Sequence, residues 1–249
     1  MLLLLAALLS TACGSPEQPA PASGPSGDSI VVASTSWAGA FAVAAGARNV
    51  TLVAPATVPH APDYDPKPND LAKVATADFV LYAPFDSFAP RLKEAAGGHA
   101  KLVELNLENT PQTIHAEVTR LGQLFGTPTQ AAQWLADFDK RYAELPAGLK
   151  SAQRQPPPTA VAQVFMAYWG PFAGLAVKGT YGPEPVTAGQ LAALTAAHPT
   201  VVIDNAHQPT NLDIPGARTI ALINFPGADL NLISVFEENA RRLGTVISG

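Results

Sequence analysis

Residues 112–146 read QTIHAEVTRLGQLFGTPTQAAQWLADFDKRYAELP. Ile114, Val118, Leu121, Leu124 and Phe125 recur at three- and four-residue spacing, which predicts a helix over Gln112–Phe125 with one buried stripe. Gly126 suits the residue that closes it, Thr127 suits a cap for the next helix, and Pro128 suits a first turn. A second, long helix is expected over Pro128–Lys150, carrying Ala131, Trp134, Leu135, Phe138, Tyr142 and Leu145 until Pro146 interrupts it.

On both sides of this pair, short apolar runs alternate with helical ones. Before it, strands are expected at Ile30–Ser34, Thr51–Ala54, Phe79–Ala83 and Leu102–Leu105, with helices at Ala38–Ala45, Asn69–Ala75 and Pro90–Ala96. After Gln155-Pro156-Pro157-Pro158 the alternation restarts: strands at Thr159–Phe165, Leu175–Val177, Val201–Asp204 and Thr219–Ile223, helices at Ala188–Ala197 and Leu232–Ile247. Such alternation implies an α/β fold in which two lobes, each a small parallel sheet covered by helices, are joined by a long rigid helix. The expected division is an N-terminal lobe over 29–127, a linking helix over 128–152 and a C-terminal lobe over 153–249.

Composition agrees. The chain has 249 residues, 47% hydrophobic and only 14% charged, which is enough for two small lobes and excludes a wholly disordered chain. Fifteen Lys and Arg against twenty Asp and Glu, with no basic cluster, argue against a nucleic-acid partner. One cysteine leaves no intrachain disulfide and no cysteine-based zinc cage.

That cysteine, Cys13, follows an apolar run at residues 2–9 and the small residues Ser10-Thr11-Ala12. The run is too short to cross a bilayer, and the arrangement resembles a bacterial lipoprotein signal over 1–12. An ordinary secretion signal is the other reading. Residues 13–28 then hold the lipidated cysteine and a Pro/Gly/Ser tether. The expectation is an extracytoplasmic body held at the cell membrane by acyl chains.

In parallel sheets, ligands bind beyond the carboxyl ends of the strands, so the following loops are where chemistry belongs. After the second strand, His60, Asp63 and Asp65 place one nitrogen and two oxygen ligands within six residues of a Pro-rich loop. The same loop also reads as a rigid surface turn. After the seventh strand, Asp204 and His207 can ligate a metal or form an acid/base pair. An Asp there can equally cap its own loop. After the fifth, Met166, Tyr168 and Trp169 lie in an aromatic segment that suits a ligand-facing wall or a core. Asn224 sits in a turn after the eighth strand. His99, His115 and His198 are expected to face solvent. No nucleophile elbow, Walker loop, dinucleotide fingerprint or HExxH helix occurs, so an enzyme is not expected. A hydrolase using Asp204 and His207 is the enzymatic rival.

Tyr64-Asp65-Pro66-Lys67-Pro68-Asn69-Asp70-Leu71 leading to Ala77–Tyr82, the segment Phe165–Ala173, Glu184-Pro185-Val186-Thr187, and Asn224-Phe225-Pro226-Gly227 with Asn239 carry a resemblance. Together they resemble the TroA-like metal-binding solute receptors of ABC transporters, the helical-backbone metal receptor superfamily. The resemblance implies a monomeric lipoprotein that captures a divalent metal ion of the zinc or manganese type and hands it to an ABC permease. It also places Pro62, Asn106, Met166 and Asn224 at the four positions where the family has its ligands, so a rearranged site built from His60, Asp63, Asp204 and His207 is expected. The helix Leu121–Gly126 is similar to that of the related receptors for cobalamin, haem and siderophores. In that alternative Trp37, Tyr64, Phe85, Tyr168, Trp169, Tyr181 and Phe225 line a groove for a metal chelate. A further alternative is an accessory lipoprotein that kept the receptor fold and lost metal binding.

Overall fold

The computed structural model describes residues 27–149 and 154–247; Cys13, the signal segment and nearly all of the tether lie outside the described residues. Strand β1 (Ile30–Ala33) buries Val31, Val32 and Ala33, and β3 (Phe79–Tyr82) buries all four of its residues. Consecutive apolar residues buried on both faces mark central strands of a parallel sheet. They are flanked by β2 (Asn49–Leu52) and β4 (Lys101–Glu104), whose exposed polar positions suit edges, in the order β2-β1-β3-β4. The second sheet repeats the plan. Buried β5 (Thr159–Gln163) and β7 (Val201–Asn205) are central, with β6 (Ala176–Tyr181) and β8 (Arg218–Leu222) outside, in the order β6-β5-β7-β8. Every pairing in both sheets is parallel.

In each sheet the strand order reverses between the two central strands, β1 and β3 or β5 and β7, and that reversal opens a crevice at their carboxyl ends. The helices are α1 (Ser36–Ala44), α2 (Pro68–Val74), α3 (Ala89–Ala96), α4 (Pro111–Phe125), α5 (Pro128–Ala147), α6 (Trp169–Phe172), α7 (Ala188–Ala196) and α8 (Leu232–Ile247). None of the described helices is long and apolar enough to cross a membrane.

Helix α4 buries the expected stripe of Ile114, Val118, Leu121 and Phe125, and ends at Gly126 in the left-handed region with φ of 71°. Helix α5 packs against α1, α4 and α8. One apolar core runs through both lobes: Val31, Phe41 and Phe79 belong to the same cluster as Leu135, Phe138, Ile203, Leu222 and Phe236. The outer face of each sheet has its own smaller cluster, Val32, Val80 and Leu92 in one, Val161, Val202 and Leu212 in the other.

Five local expectations change. Thr127 makes no cap, because its hydroxyl donates to the Ala45 carbonyl at 2.5 Å and ties α5 to the end of α1. The strand expected to reach Phe165 stops at Gln163, whose side-chain oxygen accepts the Phe165 N–H and folds residues 164–166 into a 3₁₀ turn. The helical turn α6 was not anticipated, and β6 extends to Tyr181. Helix α5 ends at Ala147, one residue past Pro146.

Candidate functional site

The two crevices face each other, and the loops leaving β1, β3, β5 and β7 wall a cleft of about 1070 Å³ between the lobes. Trp37 comes from the first turn of α1, which follows the first loop, and Phe85 from the second loop. Phe165 and Tyr168 come from the third, Asn205 from the last position of β7 and His207 from the fourth loop. The loops after β2, β4 and β8 complete it with His60 and Asp63, with Asn106 and Asn109, and with Asn224 and Phe225. Trp37 lies 5.8 Å from Phe225 and 6.2 Å from Phe85, ring centre to ring centre, so part of the wall is aromatic. Asp63, Glu104, Glu108 and Glu117 against Arg120 give the described lining an acidic balance, which draws cations in.

Hydrogen bonds stitch the lobes together around this cleft. Ser36 Oγ donates to the Pro226 carbonyl at 2.7 Å, and Asn109 Nδ2 donates to the Asn224 carbonyl at 2.5 Å. On α8, fully buried Asn239 clamps the Ile223 backbone from both sides, at 2.9 and 2.8 Å, and so fixes the Asn224–Gly227 turn.

A third cross-lobe bond involves His207. Its ring stacks on Phe225 at 3.7 Å, and its Nδ1 lies 3.3 Å from the Pro59 carbonyl. A carbonyl only accepts, so Nδ1 carries the proton and Nε2 keeps its lone pair. That Nε2 is buried and makes no hydrogen bond. Burial first, and then the positive fields of Arg242 and His60, hold the His207 imidazole below its ordinary titration range, while the Pro59 and Phe225 carbonyls oppose this in part. The ring is therefore neutral at physiological pH.

His60 stands on the opposite lobe. The 3₁₀ turn Ala61–Asp63 brings Asp63 back so that its Oδ2 lies 2.9 Å from His60 Nδ1. The turn is pinned from behind by Ser87, whose N–H and hydroxyl both donate to the Pro62 carbonyl at 2.9 and 2.8 Å. With the Asp63 carboxylate accepting, the Nδ1 of His60 is the nitrogen that carries a proton, and Nε2 is the one left to meet a ligand. An imidazole whose Nδ1–H is held by an oxygen while Nε2 stays free is the arrangement of a metal-ligating histidine. Among the described residues, no group of three His, Cys, Asp or Glu side chains already stands close enough to hold an ion.

The remaining candidates divide. Trp37, Asn106, Tyr168, Trp169 and Asn224 line the cleft, with Trp169 at its floor. Burial and the Tyr142 hydroxyl push the Tyr168 phenol upward, so it stays protonated. Tyr64 and Asp65 turn away: the Tyr64 hydroxyl donates to Asp70 at 2.9 Å, and Asp65 pairs with Arg91. Met166 is fully buried, because the 3₁₀ turn rotates it into the core. Tyr181 is buried too, its hydroxyl donating to the Ile203 carbonyl. Asp204 faces its own loop, where its oxygens accept the N–H groups of Asn205, Thr210 and Asn211 at 2.9 to 3.2 Å, and so it has no oxygen directed at the cleft wall. His99 and His198 are exposed, and His115 is half-exposed against Asp139. Asn109, in the same loop as Asn106, was missed, although the loop's place after a strand was the signal that could have found it.

No protein-family model matches the chain, and no curated protein matches it. Solved structures do. A zinc-bound deletion mutant of ZnuA superposes with a TM-score of 0.66 at 19% identity over 89% of this chain and 99% of that one. The solute-binding protein FpvC of Pseudomonas aeruginosa, in complex with nickel, gives 0.64 at 18% over 89% and 96%. The metal-dependent lipoprotein YcdH of Bacillus subtilis gives 0.58 at 16% over 87% and 98%.

Proposed function

We propose that this chain, whose two-lobed fold is that of the TroA-like solute-binding proteins, is an extracytoplasmic receptor that captures a divalent transition-metal ion and delivers it to the permease of an ABC importer. The observation that carries the reading is the pair His60 and His207, on opposite lobes, each with Nδ1 bonded to an oxygen and Nε2 left free. The metals bound in neighbouring structures, zinc, nickel and manganese, support a divalent transition-metal cargo.

In this reading the ion is cargo. His207 Nε2 and His60 Nε2 ligate it, Asp63 orients His60 and contributes negative charge, and water fills the remaining positions. Two imidazoles suit zinc, nickel or cobalt better than manganese, magnesium or calcium, which favour oxygen. Asp204, first read as a ligand, has no place in the coordination. Cys13 bears the acyl chains and residues 14–28 act as the tether, which keeps a monomeric receptor beside its permease. That the Bacillus subtilis neighbour is a lipoprotein agrees with this.

Calorimetric titration of the purified protein with zinc, nickel and manganese chlorides tests this. One equivalent of zinc or nickel is expected to bind more tightly than manganese. Losing an outer partner of a metal site costs roughly 10–100-fold in affinity, and His60→Ala or His207→Ala should cost more. A wild-type protein that binds none of these ions, or two variants that bind as well as wild type, overturns the reading.

A further inference from the structure

We propose that Asp204 is the positioning residue of the C-terminal half of this site: it moulds the loop that presents His207 without touching the ion. The inference deepens the metal-receptor reading, but its structural part stands apart from it.

Asp204 closes a ring of backbone donors. Oδ1 accepts from Asn205 at 2.9 Å and Thr210 at 3.2 Å, while Oδ2 accepts from Thr210 at 3.1 Å and Asn211 at 3.0 Å. Its partners are N–H groups at both ends of the segment 205–211, so the carboxylate cinches that segment into a loop, with His207 inside it. A second tie comes from Asn205, whose Oδ1 accepts the His207 N–H at 2.9 Å. Asn211 sits in the left-handed region with φ of 54°, which asparagine enters more readily than other residues with a side chain, and one of the Asp204 bonds falls on its N–H. The carboxylate is only 3% exposed and faces backbone dipoles, the way a nest of N–H groups holds an anion. A charge so placed also sets a negative potential beneath a bound cation.

The same geometry explains why a neutral isostere should fail. Three N–H donors surround two oxygens, so in Asp204→Asn whichever oxygen becomes an amide NH₂ is turned against at least one donor. Leaving a buried donor unmade carries its full desolvation cost. The loop should then relax, and the His207 ring should lose its register with Pro59 and Phe225.

The test uses the full chain and two readouts. In the metal-free protein, long-range ¹H–¹⁵N correlation of the imidazoles should show His207 locked with its proton on Nδ1, and Asp204→Asn should release it to the mixture of a free histidine. In cobalt(II) titrations the variant should bind roughly 10–100-fold more weakly, with a changed ligand-field spectrum. Asn205→Ala, which cuts only the second tie, should shift both readouts in the same direction by less, and it serves if Asp204→Asn does not fold. A folded Asp204→Asn protein with the wild-type His207 tautomer refutes the positioning role. So does one with wild-type cobalt affinity and spectrum. A wild type that binds no cobalt instead refutes the receptor reading, while the tautomer readout still decides the role of Asp204.

Discussion

Replacing His207 with Phe should remove a proton-linked weakness from the empty protein. The imidazole is held neutral by burial between Phe225 and the Pro59 carbonyl, so its folded-state value lies below the ordinary 6.5. With a depressed value, the unfolded chain binds the proton first. The structure is therefore unpenalised above about pH 6.5 and loses stability as pH falls below it, down to the folded-state value. Inside that window one proton changes stability by about 1.4 kcal/mol per pH unit. For a chain of this size 1 kcal/mol corresponds to roughly 2–4 °C in Tm. His207→Phe keeps a ring against Phe225 but gives up the bond to Pro59, costing about 0.5–1.5 kcal/mol at pH 7.5. Urea unfolding of chelator-treated protein at pH 7.5, 6.5 and 5.5 reads both effects. The variant starts less stable and its curve against pH is flatter by up to one proton, so the two proteins converge in acid. Parallel curves for variant and wild type would refute the placement of a neutral, half-buried imidazole.

Two further outcomes follow from the packing. Phe138→Ala, on α5, removes a ring that is 1% exposed and lies 5.3 Å from Trp134, 5.6 Å from Tyr142 and 5.4 Å from Phe236; it should cost about 3–5 kcal/mol and lower one shared unfolding transition, and two separable transitions would contradict a core common to both lobes. Asp86 is buried with one oxygen unpartnered, and burial pushes its carboxyl upward, so the stability it brings is present in acid and lost as pH rises through its folded value; Asp86→Asn should therefore be more stable than wild type at pH 8 but not at pH 4, by about 1.4 kcal/mol for each unit of that rise, as thermal melts at the two pH values would show.

The fold was legible because its signals are periodic. Ile30–Ser34 and Phe79–Ala83 read as strands within a strand–helix alternation, and the stripe from Ile114 to Phe125 read as one helix face. The site was legible only as far as position after a strand carries it. His60 and His207 both lie in such loops and both reach the cleft. What the pattern lacks is the partner that captures each polar group. Tyr64 is taken by Asp70, Asp65 by Arg91, and Asp204 by the amides of its own loop. Each pairing depends on loop backbone angles or on a neighbouring helix, neither of which leaves a mark on residue spacing. Asn109 shows the converse. Nothing about Glu108-Asn109-Thr110 suggests chemistry, yet the β4 loop carries its amide across to the other lobe.

The core that passes unbroken from one sheet to the other has a consequence for the receptor role proposed above. A hinged host signals capture by swinging shut, and part of the binding free energy goes into ordering it. Here Phe41, Phe138, Ile203 and Phe236 belong to one packed body, so the ordering cost has been met when the chain folds. If the chain is the receptor proposed above, capture should leave the silhouette of the molecule almost unchanged. A filled receptor would then differ from an empty one at short range, in the charge at the cleft mouth and the set of the loops around His60 and His207. A transporter that reads this protein would be reading those few square nanometres rather than the angle between two lobes.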